Sequence, residues 1–479
     1  FLVDNFGSPE APARNFSPMK AALQWLKEGH CLAMFPAGEV AHLEPGRRVV
    51  VDPKWNCSFA RLARSAGAAI VPVYFDGRNS MVFQLAGLVH PGLRTILLAR
   101  ELQRRRHSTV RACVGRAIAP HRAARFRSAE ALCSHVRLRT YLLASRLTGV
   151  NGPAAVRRPA LLRPIVSPER TDDLEREISA LPEVRQLVQS GDLAVYQASA
   201  EEIPFILREI GRLRELTFRA AGEGTGRERD LDRFDADYLH LFLWHRARRQ
   251  LVGAYRMGLT DEILIRRGIC GLYTSTLFRF EPTLLDRIGP AIELGRSFVR
   301  PECQRDYAPL LLLWRGIGSF VSAHPRYRML LGPVSISNRY QSLSKLLLMR
   351  FLGKHNAPGE LCKLVKARNP PRIGNFRQIE LELSSAAVES VEEVDELLAE
   401  IESDRASMPV LLRQYLRLNA RLLGFNVDPE FGEVLDGLML VDLAQIDPSI
   451  LTRYMGAASA RAFLEYWRCR NRSAEPGRA

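Results

Sequence analysis

Three consecutive segments in the second half of the chain decide its fold: AIELGRSFV at 291–299, YAPLLLLWRGIGSFVSAH at 307–324 and YRMLLGPVSIS at 327–337. The first and third are apolar runs of strand length, and the middle one repeats apolar residues at helical spacing. They predict a strand, a helix and a second strand. This order indicates a mixed sheet.

The segments on either side of this block complete one α+β domain. The predicted strands that precede it are LAVYQAS (193–199), DYLHLFLWHR (237–246), QLVGAYRMGLT (250–260) and LYTSTLF (272–278), and the predicted helix is EEIPFILREIGRLRELTFRAAG (201–222). The tail adds the helical patterns ESVEEVDELLAEIES (389–403), PVLLRQYLRLNARLLG (409–424) and ARAFLEYWRCRNR (460–472), with a strand-like LMLVDL (438–443). We therefore predict an α+β domain over 191–479, with a mixed sheet and a helical C-terminal tail.

Residues 1–147 alternate helical and strand-like patterns, which favours a separate α/β layer fold. CLAMF, at 31–35, predicts a short buried strand that ends at Pro36. Between the two domains, GVNGPAAVRRPALLRPIVSPER at 149–170 is dense in Pro and Arg. We predict a Pro/Arg-rich linker over 148–190.

The composition excludes several classes of protein. The 479 residues are 47% apolar and 25% charged, which is typical of globular domains and not of disordered proteins or disulfide scaffolds. The eight cysteines contain no C-x-x-C pair, so no metal site is predicted, and a reducing cytoplasm is the simplest setting. No apolar run is long enough to cross a bilayer as a helix.

Lys plus Arg exceed Asp plus Glu by 68 − 52 = 16 charges, which favours an acidic partner: an anionic membrane surface, an acidic acyl carrier protein or nucleic acid. The sequence has no motif of a nucleic-acid-binding fold, so we predict no nucleic acid. Arginine clusters at 104–106 and 122–127 are candidates for docking a carrier protein. Phe463, Tyr466 and Trp467, among the arginines of the last predicted helix, are candidates for a membrane interface. The alternatives are solvated helix ends and a helix packed on the core.

A Pro-Gly turn follows the first predicted strand, in FPAGE at 35–39. The backbone N–H groups of such a turn can hold an anionic group, so Phe35, Pro36, Gly38 and Glu39 are candidate substrate-binding residues. An ordinary strand-to-loop junction is the alternative.

The order FLVDN, FPAGE, IVPV resembles the second to fourth sequence blocks of the lysophospholipid acyltransferase family, over about residues 1–120. Ala37 and Val40 stand where that family has an acid and an Arg that hold a glycerol phosphate. The resemblance therefore implies an acceptor without this phosphate. The catalytic H-x-x-x-x-D block of the family is not found in the sequence, and its expected position lies before Phe1, so we expect the N-terminal part of this domain to be missing.

Seven charged and aromatic residues form a second candidate site: Arg214, Phe218, Asp232, Asp235, Arg256, Glu293 and Arg296. Taken singly, each charge fits a solvated residue or a structural ion pair. Taken together, three acids and three arginines in an otherwise apolar sheet must be paired. A network of this kind suits a polar amino-acid substrate, whose carboxylate an arginine can bind through two hydrogen bonds.

These seven residues match, one by one, the motif positions of the acyl-carrier-dependent branch of the GNAT acyltransferases. The branch includes acyl-homoserine-lactone synthases, long-chain N-acyl amino acid synthases and the hemolysin-like ornithine N-acyltransferases, and the resemblance spans about residues 192–457. It implies a GNAT-like domain that uses an acyl carrier protein thioester as co-substrate and no other cofactor. The coenzyme A signature of the GNAT fold is altered in RGIGSF at 315–320, where Phe320 holds the last place.

Together the two resemblances are to fused, bifunctional ornithine-lipid synthases. They imply that the C-terminal domain N-acylates ornithine or a similar amino acid with a 3-hydroxyacyl group, and that the N-terminal domain O-acylates the resulting lyso-lipid. They also imply a cytoplasmic enzyme of lipid biosynthesis that lies peripherally on the inner membrane. Two alternatives stay open: a CoA-dependent GNAT acetyltransferase fused to a degenerate module, and a non-catalytic scaffold that binds lipid or carrier protein.

N-acyl transfer needs a neutral amine, so a carboxylate must accept the proton of the ammonium group. We predict Glu293 in this role, with Arg296 keeping Glu293 ionised and Asp235 as a third catalytic residue. Asp232 and Arg256 are expected to position the loop and the charged network.

Overall fold

The computed structural model of the chain describes residues 11–46, 49–148, 162–357, 359–372, 376–385, 388–402 and 407–474. The described residues form two compact units. The first unit takes its residues from 1–152, 341–350 and 373–407, and the second takes its residues from 153–340, 351–372 and 408–479. Part of the predicted linker lies at 149–161, outside the described residues.

The elements of residues 11–148 are α1 (Ala11–Lys27), β1 (His42–Glu44), β2 (Val49–Val51), α2 (Ser58–Ala66), β3 (Val73–Asp76), α3 (Met81–Val89), α4 (Pro91–Arg104), β4 (Arg111–Val114), α5 (Pro120–Ala123), α6 (Ala129–Leu142) and α7 (Ala144–Thr148). The next stretch holds α8 (Thr171–Ala180), β5 (Gln186–Ser190), β6 (Leu193–Ser199), α9 (Pro204–Ala221), β7 (Leu239–His245), β8 (Gln250–Leu259), α10 (Thr260–Arg267), β9 (Phe278–Phe280), α11 (Pro282–Ile288), β10 (Ala291–Val299), α12 (Ala308–Ala323) and β11 (Met329–Ile336). The remaining elements are α13 (Ser342–His355), α14 (Gly359–Cys362), β12 (Val365–Ala367), α15 (Arg377–Ser385), α16 (Val391–Ile401), α17 (Val410–Arg417), β13 (Arg421–Asp428), β14 (Val434–Asp442), α18 (Pro448–Met455) and α19 (Ala457–Ala474).

An eight-stranded mixed sheet is the centre of the second unit, in the order β13-β14-β11-β10-β8-β7-β6-β5. Neighbouring strands are antiparallel except β10 and β11, which are parallel and are connected through α12. These two strands pair over Ala291–Glu293 and Met329–Leu331, and beyond that point β10 pairs with β8 alone. The mixed sheet is confirmed, and it separates into two arms where β10 and β11 diverge.

Helices cover both faces of this sheet. Helix α9 lies on one face, where Ile206, Ile210 and Leu213 pack against Ala254 and Phe298. Its apolar residues recur every three or four positions, so one side of the helix is buried. Helix α12 lies on the opposite face, where Trp314 contacts Tyr255 edge to face. A buried strand surface on both sides explains the nearly continuous apolar runs of β7 and β8.

Two boundaries of the second unit differ from the sequence predictions. Helix α8 and strand β5 lie inside the predicted linker 148–190, and β5 forms the edge of the large sheet. The predicted helix 409–424 ends at Arg417, and the chain continues as strand β13 because its apolar residues complete the sheet beside β14. The predicted helical tail therefore contributes two strands before α18 and α19.

The first unit shows two short antiparallel ladders among its described residues, β1–β2 and β3–β4. A larger layered sheet, as predicted for 1–147, is not formed by the part of this unit that the structure describes. The predicted strand CLAMF is also absent: residues 31–35 have no ladder partner, and the Phe35 side chain is 79% exposed. An apolar run forms a strand only where a neighbouring strand can pair with its backbone, and residues 31–35 have no such neighbour among the described residues.

Of the three aromatic residues of helix α19 predicted to lie in a membrane interface, Tyr466 alone is exposed. Phe463 is buried, and the Trp467 indole donates a hydrogen bond to the Pro325 carbonyl at 2.8 Å. Helix α19 therefore packs on the second unit, which was the alternative interpretation. Among the described helices, none has the length and apolar character needed to cross a bilayer.

Candidate active site

The candidate site lies on the α9 face of the large sheet, at the point where β10 and β11 diverge. Residues paired across neighbouring strands point to the same face, and side chains alternate along each strand. Glu293 pairs with Gly258, and Gly295 pairs with Arg256, so β10 and β8 present both charges on this face. On the other arm, Ser335 of β11 pairs with Asp436 of β14 on the same face. We call this surface the site face.

A bulge in β10 brings Arg296 to the site face as well. The pairing of β10 with β8 shifts register between Gly295 and Phe298, and Arg296 has a φ of +48°. Without the bulge, residues three positions apart would point to opposite faces of the sheet. With it, both Glu293 and Arg296 contact Tyr273, which follows β8 in the chain.

Three arginines and three aspartates form the charged network on the site face. Arg214 of α9 pairs with Asp235 at 2.7 Å, and Arg256 pairs with Asp232 at 2.6 Å and with Asp235 at 3.3 Å. Arg296 lies 3.1 Å from Asp230. Arg256 is 1% exposed and Arg214 is fully buried, so these charges are stable only because they are paired.

A capping box holds the acids of this network in place. The short helical turn 233–236 begins at Asp232, whose carboxylate accepts a hydrogen bond from the Phe234 N–H. The Asp235 carboxylate accepts one from the Asp232 N–H at 2.8 Å. The spacing D-x-x-D in DLDRFD therefore encodes a rigid turn in which both acids also reach arginines. Both predicted acids lie in the network.

The electrostatics of the two buried aspartates differ. Burial by itself would raise the pKa of Asp235, but the guanidinium groups of Arg214 and Arg256 outweigh it and hold this pKa well below its usual range. Burial raises the pKa of Asp230, and the opposing effect of Arg296 does not cancel it. The His240 Nε2–H donates to the Asp235 carbonyl at 2.9 Å, and burial followed by the nearby Arg214 lowers the pKa of His240 to about 4. His240 is therefore neutral near pH 7.

Glu293 is buried beneath this network and is saturated with hydrogen bonds. Its carboxylate accepts from the Thr274 N–H at 2.6 Å, from the Tyr273 N–H at 3.1 Å and from the Tyr238 hydroxyl. These bonds fix the loop 271–276, most of which lies in the segment 272–278 that we predict as a strand, and which forms short helical turns instead. The Glu293 carboxylate accepts hydrogen bonds from two backbone N–H groups of this loop. The loop therefore does not need a neighbouring strand as a hydrogen-bond partner.

The predicted pairing of Glu293 with Arg296 is wrong. The Arg296 guanidinium pairs with Asp230, lies 3.9 Å from Asp232 and donates to the Tyr273 hydroxyl at 3.1 Å. Arg296 instead connects the aspartates of the network to the aromatic rings above the sheet.

Aromatic rings enclose the arginines. The Arg296 guanidinium lies 4.4 Å from the ring centre of Phe431 and 4.8 Å from that of Tyr273. Phe218 of α9 meets Phe431 edge to face at 4.9 Å. Phe218, predicted to bind substrate, is buried in the core and acts on the site through the ring that carries Arg296.

Several site residues were missed by the sequence analysis: Asp230, Ser335, Asp428, Asp436, Tyr238 and Tyr273. Asp436 accepts a hydrogen bond from the Ser335 hydroxyl at 2.7 Å, and the Tyr273 hydroxyl donates to Asp428 at 2.9 Å. Burial, reinforced by Asp428, raises the pKa of Asp436 to about 8, although the Ser335 hydrogen bond opposes the rise. An acid at an inward position of the apolar run VLDGLMLVD was the available signal.

The arginines keep hydrogen-bonding capacity beyond the network. Among the described residues, the Nε and Nη2 groups of Arg214 and Arg256 have no hydrogen-bond partner. Such buried donors are costly unless an acceptor reaches them. A carboxylate is an acceptor that suits guanidinium donors.

The FPAGE segment of the first unit forms a tight turn. The Gly38 N–H donates to the Phe35 carbonyl at 3.1 Å, and Gly38 has a φ of +68°, which favours glycine. The Pro36 carbonyl accepts from the Asn56 N–H at 2.8 Å. Glu39 is exposed and does not form part of a charged cluster in the described residues. The turn is present, and its role in substrate binding stays a prediction.

Comparison with known proteins gives one domain family and two similar relatives. The acetyltransferase (GNAT) domain family matches residues 213–314, a stretch that contains Arg214, Asp235, Arg256, Glu293 and Arg296. The glycine N(alpha)-acyltransferase of Phocaeicola vulgatus is 29% identical over 295 residues, which cover 59% of this chain and 89% of that protein. The glycine N(alpha)-acyltransferase of Bacteroides thetaiotaomicron is 30% identical over 296 residues, which cover 59% of this chain and 86% of that protein.

Proposed function

Because the chain belongs to the family of the glycine N(alpha)-acyltransferases, it is an N-acyltransferase that acts on an amino acid, and we propose that it joins a long acyl chain from a carrier-protein thioester to the α-amino group of glycine. The observation that carries this proposal is the divergence of β10 and β11 beside a buried charged network. The nitrogen of the amine attacks the thioester carbonyl, a C–N bond forms, the C–S bond breaks, and the carrier leaves as a thiol.

The diverging strands suit the thioester. Among the described residues, β10 has no ladder partner on its β11 side beyond Glu293, so backbone groups of residues 294–298 on that side are candidates to hydrogen-bond the thioester and its pantetheine arm. A carbonyl held in this way is polarised and fixed in position for attack. The charged network then lies next to the reacting carbon on the site face.

A small apolar cavity of about 10 Å³ on the α12 face marks where the acyl chain would enter, and its lining must move apart to admit the chain. Its lining includes Trp314, Ile317, Val321, Leu330, Leu451 and Tyr454. Leu330 precedes Leu331, the last residue of the β10–β11 pairing, and points to the opposite side of the sheet. A chain that passes between the diverging strands therefore leaves the polar face and enters an apolar environment.

The free guanidinium donors suit the carboxylate of the amino acid, and Asp436 suits the proton of its ammonium group. Asp436 lies across the diverging strands from Arg296 and has a pKa of about 8, which is close to the pKa of an amine. We therefore assign proton acceptance to Asp436 in place of Glu293, whose three hydrogen bonds favour a positioning role.

Ornithine is the second candidate amino acid. Six carboxyl groups face three arginines around the site: Asp230, Asp232, Asp235, Glu293, Asp428 and Asp436 against Arg214, Arg256 and Arg296. Such an excess of acid suits a substrate with a second ammonium group, and it agrees with the resemblance to ornithine N-acyltransferases.

Carrier protein is favoured over coenzyme A as the acyl donor. The segment RGIGSF at 315–320 lies in the middle of α12, which begins at Ala308. A pyrophosphate is bound by free N–H groups at a helix N-terminus, and residues in the middle of a helix have none. The surplus of 16 positive charges also suits an acidic carrier protein.

The test is product formation by the full chain. Acyl carrier protein loaded with a 3-hydroxyacyl group is incubated with glycine or with ornithine, and the amide is identified by mass, with the matching acyl-CoA as a second donor. We expect N-acylglycine from the carrier thioester, and Asp436→Asn should lower kcat by about 100-fold or more while the protein stays folded. Amide from ornithine alone would overturn the choice of glycine, amide from acyl-CoA alone would overturn the choice of donor, and full activity of Asp436→Asn would remove it as proton acceptor.

O-acyl transfer by the first unit remains a proposal that rests on the resemblance of FPAGE and its neighbouring blocks. The purified N-acyl amino acid serves as the lyso-lipid acceptor in the same assay, and a diacylated product is the expected result. Glu39→Gln should reduce the second acylation without affecting the first.

A further inference from the structure

Helices α3 and α4 of the first unit expose an unusually apolar surface. Helix α3 has the sequence MVFQLAGLV and contains no charged residue. Its large exposed side chains are Met81, Val82, Leu85, Leu88 and Val89, and Val89 is 82% exposed. The spacings of three and four residues place them on one side of the helix.

Helix α4 continues this surface. Ile96 is 73% exposed and Leu102 is 78% exposed, and Leu93 and Leu98 are also exposed. Leu93 and Ile96 lie on one side of α4, and Leu98 and Leu102 lie on another, so α4 adds exposed apolar side chains on two sides of the hairpin. Soluble monomers rarely present this much apolar surface to water. We call Met81, Val82, Leu85, Leu88, Val89, Leu93, Ile96, Leu98 and Leu102 the hairpin patch.

The hairpin is held firmly on its other side. Phe83 is fully buried, and the Gln84 side chain accepts a hydrogen bond from the Leu43 N–H at 2.7 Å. The Ser80 N–H donates to Glu101 at 2.9 Å, and the Ser80 hydroxyl bonds the same carboxylate, which joins the start of α3 to the end of α4. The exposed patch is therefore part of a folded element.

The charges around the patch are of one sign. Residues 81–106 contain one acid, Glu101, which is buried and bonded to Ser80. Arginines Arg94, Arg100, Arg104, Arg105 and Arg106 lie in the same stretch, and among the described residues none of them forms an ion pair. Apolar side chains bordered by unpaired guanidinium groups match an anionic bilayer, whose acyl chains and headgroups offer the complementary surfaces.

We propose that the α3–α4 hairpin binds the surface of an anionic lipid bilayer, with the hairpin patch inserted below the headgroups and the arginines on the headgroups. Arginines alone would also fit an acidic carrier protein, but the hydrated surface of such a partner offers nothing to nine exposed apolar side chains. Lipid is therefore the occupant that uses both parts of the surface. The proposal does not depend on the amino-acid substrate or on the acyl donor.

The test is flotation of the full chain with vesicles of phosphatidylcholine, with and without phosphatidylglycerol. The wild type should float with the anionic vesicles. The variant Leu85→Glu/Leu88→Glu/Ile96→Glu should bind at least about tenfold more weakly, because each charge must enter the apolar layer. The matched control is Ile265→Glu/Val410→Glu, which changes two exposed apolar residues of the second unit and should bind like the wild type.

Three further measurements separate the alternatives. Arg94→Gln/Arg100→Gln/Arg104→Gln should remove the preference for phosphatidylglycerol. N-acyl transfer between soluble substrates should be the same for the wild type and the Leu85→Glu/Leu88→Glu/Ile96→Glu variant, so failure of the membrane proposal and failure of the proposed reaction are distinguishable. The proposal would be overturned if the triple-Glu variant bound vesicles like the wild type. It would also be overturned if this variant lost binding to the carrier protein and not to vesicles, or if size-exclusion chromatography showed that the substitutions convert a dimer to a monomer.

Discussion

Arg296 illustrates how single residues set the chemistry of this site. A non-glycine residue with a φ of +48° is strained, and the strain persists because three groups hold the side chain: Asp230, Tyr273 and Phe431. The same bulge turns the side chain toward the site face. Backbone strain, ion pairing and ring contact therefore serve one purpose, which is to place a cation beside the diverging strands.

Proton acceptance by Asp436 has a pH dependence that Ser335 controls. The acceptor must be ionised, so the rate of N-acyl transfer should rise with pH through about 8, the pKa of Asp436. The Ser335 hydroxyl favours the ionised form through its 2.7 Å hydrogen bond. Ser335→Ala should therefore raise this pKa and move the midpoint of the pH–rate profile to higher pH, and an unchanged midpoint would argue against Asp436 as the acceptor.

Glu293→Gln should act on structure more than on the chemical step. The Gln side chain accepts hydrogen bonds only through its amide oxygen, whereas both oxygens of Glu293 accept them. At least one of the donors Thr274 N–H, Tyr273 N–H and Tyr238 hydroxyl therefore loses its acceptor. We expect a loss of about 1–3 kcal/mol in the free energy of unfolding. Denaturant unfolding measures it, with the exposed Glu302→Gln as control. A loss of kcat with unchanged stability would restore Glu293 as proton acceptor.

At the scale of elements, strands with strong apolar patterns were predicted well. Strands β6, β7, β8, β10 and β11 and helices α9 and α12 follow from periodicity alone, and so does the second half of β14. The loop 271–276 and strand β13 do not, because the first depends on the Glu293 carboxylate and the second on an open edge of β14. Local sequence cannot encode either partner. Partners that lie far away in the sequence also explain why the strand predicted at CLAMF does not form and why Arg296 pairs with Asp230 and not with Glu293.

The α12 face offers a test of where the acyl chain lies. Val321→Phe places a larger side chain in the apolar cavity lined by Val321 and Leu330 and so leaves less space there. The product distribution should therefore shift toward shorter acyl chains. The control Ala323→Phe places the same side chain on the exposed side of α12. Chain preference is read by mass from a mixture of carrier thioesters, and an unchanged distribution would exclude this cavity as the acyl site.

At the scale of the whole molecule, the positive charge predicts a salt-dependent encounter. A net charge of +16 attracts an acidic carrier protein over distances that salt screens. We expect kcat/KM for the carrier thioester to fall by about tenfold or more when the ionic strength is raised from low to moderate. The uncharged pantetheine thioester is the control and should show almost no dependence. Equal salt dependence for both donors would contradict electrostatic docking.

The fold brings five of the seven residues proposed from sequence into one network, and the other two lie beside it. Arg214, Asp232, Asp235, Arg256 and Arg296 share one network, and Glu293 and Phe218 support it from below and from the side. The acids Asp230 and Asp428 were not proposed because single acids carry no recognisable spacing, and Asp436 was missed although it interrupts an apolar run. The positions of Asp428 and Asp436 became visible only when β13 and β14 were placed beside β11, and that of Asp230 when its loop was placed beside Arg296.

The short parallel pairing has a mechanical consequence. In the described residues, three residue pairs between β10 and β11 join the arm β13-β14-β11 to the arm β10-β8-β7-β6-β5. A ladder this short is a natural pivot: small rotations there translate into larger movements at the open end, where residues 294–299 and Ser335 lie. Amide hydrogens of those residues should exchange with deuterium faster than those of 291–293, and an acyl carrier thioester seated between the arms should slow them.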